Sequence, residues 1–72
     1  MDKIPVRFQY EGKEVVGELQ AVHGAGSRVW HLVVNKYYWG RLRSTEDGWA
    51  FDGNRPGLEG VGEQLIQFIA SL

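Results

Sequence analysis

Residues 3–10, KIPVRFQY, alternate between two kinds of side chain, with Ile4, Val6, Phe8 and Tyr10 on one side and Lys3, Arg7 and Gln9 on the other. A period of two fits a half-buried strand and no helix. Pro5 has no backbone donor, which suits an edge strand. Glu11-Gly12 can close a two-residue hairpin turn. In that register Phe8 faces Val15, Val6 faces Gly17 and Ile4 faces Leu19, so the hairpin has one apolar and one polar side.

The rest of the chain continues the pattern. HGAGS, 23–27, has loop composition. A third strand follows from Arg28 to Val34, Asn35-Lys36 turns the chain, and a fourth runs from Tyr37 to about Arg43. A tight turn there puts Arg28, Trp30, Leu32, Val34, Tyr37, Trp39, Arg41 and Arg43 on one face. The other face holds Val29, His31, Val33, Tyr38, Gly40 and Leu42. Glu46-Asp47-Gly48 suits a type I turn with a G1 bulge, pairing Thr45 with Trp49 and Arg43 with Phe51. The last segment carries Leu58, Val61, Leu65, Phe68 and Leu72 at steps of three and four, one amphipathic helix over about 58–71. Gly60 and Gly62 each cost such a helix about 1 kcal/mol relative to alanine, but they let it approach a sheet closely.

The expected fold is therefore α+β: one domain over 1–72, a five-stranded twisted antiparallel meander over about 3–52 with the C-terminal helix on one face. A small SH3-like barrel with a terminal helix is the alternative. Which face of the 28–43 hairpin is buried depends on the loop before it. If Gly24 to Ser27 form a four-residue loop, Leu19 meets Leu32 and Ala21 meets Trp30. The side carrying Trp30, Leu32, Val34, Tyr37 and Trp39 then joins the core. A five-residue loop would flip every later side chain. The first arrangement is preferred because it buries more apolar area, about 1.5–3 kcal/mol for each large side chain.

At 72 residues the chain buries only about 60% of its unfolded surface, so it is short of core. It has no cysteine, hence no disulfide or thiolate metal site to compensate. Nine acids against eight bases give a net charge of −1, which points to no nucleic-acid or membrane partner. The distribution is uneven, however. No acid falls between Glu18 and Glu46, a window holding Arg28, Lys36, Arg41 and Arg43. No apolar run exceeds three residues, as in Leu32-Val33-Val34, too short to span a membrane, and no signal-peptide pattern opens the chain. A cytoplasmic setting is the expectation.

Chemistry finds few anchors. No acid lies between Glu18 and Glu46 to join His23 and His31 locally in a metal site. Ser27, Ser44, Thr45 and Ser71 lack a nucleophile motif, and Asp47 and Asp52 stand in turn-like contexts where aspartate is favoured anyway. GNRPGLEGVGEQ, with Arg55, matches neither the dinucleotide nor the phosphate-loop spacing, although a helix N-terminus there could favour an anion. No catalytic residue, metal or cofactor is expected, and no enzymatic activity.

One surface remains. With the preferred parity, the outer sheet face shows Val16, Val29, His31, Val33 and Tyr38, too apolar for a solvated face. The expected role is a non-enzymatic interaction module that self-associates as a homodimer or binds a protein partner there. The alternative is single-stranded nucleic-acid binding, with Tyr37 and Trp39 stacking bases and Arg41 and Arg43 neutralising phosphates.

Overall fold

A computed structural model describes residues 3–24 and 28–71. Five strands, β1 (Lys3–Tyr10), β2 (Lys13–Ala21), β3 (Val29–Val34), β4 (Tyr37–Thr45) and β5 (Gly48–Gly53), precede one helix, α1 (Glu59–Ala70). The strands pair antiparallel in the order β1-β2-β3-β4-β5. The sheet curls into a half-barrel, and α1 packs against β5, β1 and β4. The α+β meander expected from the hydrophobic pattern is the observed fold. Residues 25–27 of the HGAGS loop, and Leu72 of the expected helical stripe, lie outside the described residues.

The turns explain the tight connections. Glu11 and Gly12 both take positive φ, 52° and 77°, and so do Asn35 and Lys36, 51° and 70°. Two successive left-handed residues match the right-handed twist of the strands they join. Phe8 pairs with Val15, Val6 with Gly17 and Ile4 with Leu19, as the alternation requires. Leu19 pairs with Leu32 and Ala21 with Trp30, and the Val22 N–H donates to the Val29 carbonyl at 3.1 Å. The preferred parity of β3 is thus the observed one.

The β3–β4 pairing departs from expectation. Val34 pairs with Tyr37 and Val33 with Tyr38, but the register then shifts, and Leu32 pairs with Gly40, His31 with Arg41 and Trp30 with Leu42. Trp39 is the extra residue of a β-bulge. Beyond it every β4 side chain changes face, so Gly40 and Leu42 join the core while Arg41 and Arg43 turn outward, opposite to the uninterrupted alternation. The physical reason is burial. An unbulged strand would turn Arg41 and Arg43 inward, Arg41 directly opposite Trp30, whereas the bulge puts the fully buried Leu42 there.

The β4–β5 turn departs by one residue in the other direction. Thr45 pairs with Gly48, Arg43 with Ala50 and Leu42 with Phe51, not Thr45 with Trp49 and Arg43 with Phe51. The Thr45 hydroxyl donates to the Gly48 carbonyl at 2.9 Å and accepts the Asp47 N–H at 3.2 Å, holding the shorter connection. The two shifts cancel, so Trp49 and Phe51 still pack on the core side.

The core is Val6, Phe8, Leu19, Trp30, Leu32, Val34, Leu42, Leu58, Val61 and Leu65. Helix and sheet meet closely where a Cβ on Gly62 would lie 2.9 Å from the Phe51 side chain. Gly60, by contrast, faces open space. On the edge strand, the Gln64 amide accepts the Gln9 N–H at 2.7 Å and donates to the Gln9 carbonyl at 2.9 Å. A helix side chain thus takes the place a sixth strand would fill, beside a Pro5 that has no N–H to offer.

A Cβ at Gly40 would meet the Phe51 ring at 2.6 Å and the Asp52 carbonyl at 2.7 Å. Gly40→Ala is predicted to destabilise the fold by about 1–3 kcal/mol through overpacking. Gly60→Ala should leave stability unchanged or raise it by up to about 1 kcal/mol. Urea unfolding of the two variants checks both signs, and equal effects would contradict the packing described.

Candidate interaction surface

Strand alternation sends Val16, Glu18 and Gln20 of β2 to the face opposite the helix, together with Val29, His31 and Val33 of β3. Tyr38 joins them opposite Val33, and Arg41 and Arg43 follow beyond the bulge. Lys3 and Arg7 of β1 and Asp52 of β5 complete the face at its margins. Val16 is 57% exposed and Tyr38 46% exposed, while Val29, His31 and Val33 are half-buried. All five residues singled out as an apolar stripe therefore lie on one outer face.

The stripe has internal order. The His31 and Tyr38 rings stand edge to face, with centroids 5.1 Å apart. The Tyr38 backbone is pinned by the Asn54 amide, which donates to its carbonyl at 2.7 Å. Beside Val16 and Val33 lies a shallow depression of about 450 Å³, also lined by Lys3, Glu18 and Lys36.

At the β4–β5 margin, the Arg43 Nε donates to Asp52 Oδ2 at 2.7 Å, and Arg41 Nη2 lies 3.7 Å from the same oxygen. The hydrogen bond from Arg43 holds the Asp52 carboxyl below its ordinary range, and the same bond raises Arg43. One carboxylate serves two guanidiniums, so a positive charge is left over on β4. On β2, Glu14 and Glu18 make no ion pair among the described residues, and Glu18 accepts only the Gln20 amide at 2.8 Å.

The four residues of the aromatic–basic alternative do not share a face. Tyr37 stands 72% exposed beside the Asn35-Lys36 turn, where no core reaches it. Trp39 is half-buried on the core side, edge-on to Phe8 at 5.8 Å and Tyr10 at 5.2 Å. Arg41 and Arg43 are on the outer face, turned there by the bulge. The cation nearest Trp39 is Arg55, whose guanidinium carbon sits 4.6 Å above the ring. That stacking was not legible in the chain, because it depends on the β4–β5 register, which pairs Gly40 with Gly53 and lets the Asn54 N–H donate to the Trp39 carbonyl at 3.0 Å. Arg55 also donates to Asn54 at 3.0 Å, and the depression beside it contains Asp52 and Glu59.

Among the described residues, no three His, Cys, Asp or Glu side chains lie close enough to hold a metal ion. None of their polar or charged side chains is buried. No helix among them is long and apolar enough to cross a membrane. No protein-family model, curated protein or solved structure matches this chain.

The lowered Asp52 pKa carries a sign. Its stabilising pair with Arg43 is complete above the ordinary carboxylate range and is lost as pH falls through the depressed value. Arg43→Ala is predicted to move the Asp52 carboxyl titration, followed by carbon-detected NMR, upward toward the ordinary aspartate value. An unmoved titration would contradict the hydrogen bond as its cause.

Proposed function

We propose that this chain is a small non-enzymatic interaction module that self-associates through its outer sheet face, with the cytoplasm as its setting. The observation carrying the reading is the contiguous Val16–Val33–Tyr38 stripe, with His31 and Val29 beside it. Val16 and Tyr38 stand about half in water although the other sheet face is covered by α1. An apolar patch rimmed by charge is the usual signature of a contact surface. A domain this short of core also gains more than a large one by covering such a patch.

The aromatic–basic reading has less support, since Trp39 and the two arginines lie on opposite faces and Asp52 already engages both guanidiniums. A stacking platform needs its rings and cations on one accessible surface.

The test is sedimentation of the intact chain. Wild type is expected to be dimeric at micromolar concentration, and Val33→Glu, which buries a charge in the proposed contact, monomeric with an unchanged circular dichroism spectrum. A wild-type chain that stays monomeric at the highest soluble concentration would sink the reading.

A further inference from the structure

The outer face carries a charge pattern that alternates strand by strand. Among Lys, Arg, Asp and Glu side chains facing outward within the paired strands, β1 presents Lys3 and Arg7, β2 Glu14 and Glu18, β4 Arg41 and Arg43, and β5 Asp52. Between the two flanks runs β3, whose outward residues are Val29, His31 and Val33. The columns therefore read positive, negative, apolar, positive, negative. One cross-strand row, Lys3–Gln20–His31–Arg41–Asp52, passes through all five strands.

We propose that the occupant of this face is a second copy of the chain, related by a two-fold axis lying along β3 between the two sheets. This rests on the self-association proposed above and fixes its geometry. A rotation about β3 exchanges the flanks, so β2 of one copy lies over β4 of the other, and β1 lies over β5. Lys3 then faces Asp52, Gln20 faces Arg41, and Glu18 lies one row from Arg41. His31 and Val33 meet their own counterparts on the axis. Every charged column meets one of opposite sign. The acid without an ion pair on β2 is matched to the surplus cation on β4.

The other in-plane axis, across the strands, stacks β1 on β1, β2 on β2 and β4 on β4. Like charges then oppose one another in every charged column, which is the arrangement that excludes a partner. The shape of the sheet favours the same choice. The outer face is the convex one, since the helix occupies the concave side. Two convex faces touch first along their middle strand, and long Glu, Arg and Lys side chains can span the widening gap on either side.

The experiment uses two full-length single variants, Glu18→Lys and Arg41→Glu. Each alone opposes like charges at both symmetry-related contacts, and its homodimer is expected to weaken by about tenfold or more. Mixed in equal amounts, the two variants restore both contacts at once. The introduced lysine of one chain meets the introduced glutamate of the other, and the unaltered Arg41 of the first meets the unaltered Glu18 of the second. The mixture is therefore expected to form a one-to-one heterodimer of near wild-type affinity, read by native mass spectrometry with one chain isotopically labelled.

Should either variant fail to fold, the cysteine-free chain offers a second readout. Val33→Cys, on the axis, should cross-link to itself under mild oxidation, while Lys3→Cys, far from its own counterpart, should not. A wild-type dimer that Val33→Glu dissociates, with no heterodimer in the mixture or with Lys3→Cys self-linking, overturns the axis but not the face. A wild-type monomer overturns both.

Discussion

The outer face depends on one inserted residue. By bulging at Trp39, β4 presents Gly40 and Leu42 to the core and Arg41 and Arg43 to the outside. Gly40 matters as much as the bulge, because the Phe51 ring, the Asp52 carbonyl and the Gly53 Cα crowd the space where its Cβ would stand. Without the bulge, Arg41 and Arg43 would turn to the core side, Arg41 opposite Trp30, where burying a charge is costly. With it, the same cations sit against Asp52 and give β4 its outward charge.

A second constraint is the small core. Ten buried apolar side chains among the described residues must hold a five-stranded sheet, and α1 packs closely against Phe51 through Gly62. The edge strand is finished by local means, Pro5 and the Gln64 amide clasping Gln9 on both sides. These contacts leave the sheet with one covered face and one uncovered face, and the self-association proposed above is a consequence of that imbalance.

Much of this was legible in the chain because period-two patterning is a strong signal. The β1–β2 pairing, the parity of β3 and the helical stripe of Val61 and Leu65 all follow from where apolar residues recur. Alternation fails at Trp39, a residue that the strand treats as an insertion. Gly40 is the available hint, a glycine inside a strand next to a tryptophan, which often marks a bulge or a close approach of backbone. The β4–β5 turn was one residue off for a related reason: pairing there depends on how Thr45 satisfies the turn, which composition does not encode. Of the aromatic–basic residues, Tyr37 was expected inside because its strand position points inward, yet the core ends before it.

Which β4 side chain touches Trp30 decides the outward face, and a nuclear Overhauser measurement reads that contact directly. Cross-peaks between the Leu42 methyl groups and the Trp30 indole, with Arg43 side-chain protons near Ala50, Arg41 side-chain protons near Asp52 and neither near Trp30, are the predicted result. Arg41 methylene protons on the Trp30 ring, with Trp39 opposite Leu32, would contradict the bulge, and the outward charge pattern built on it would fall as well.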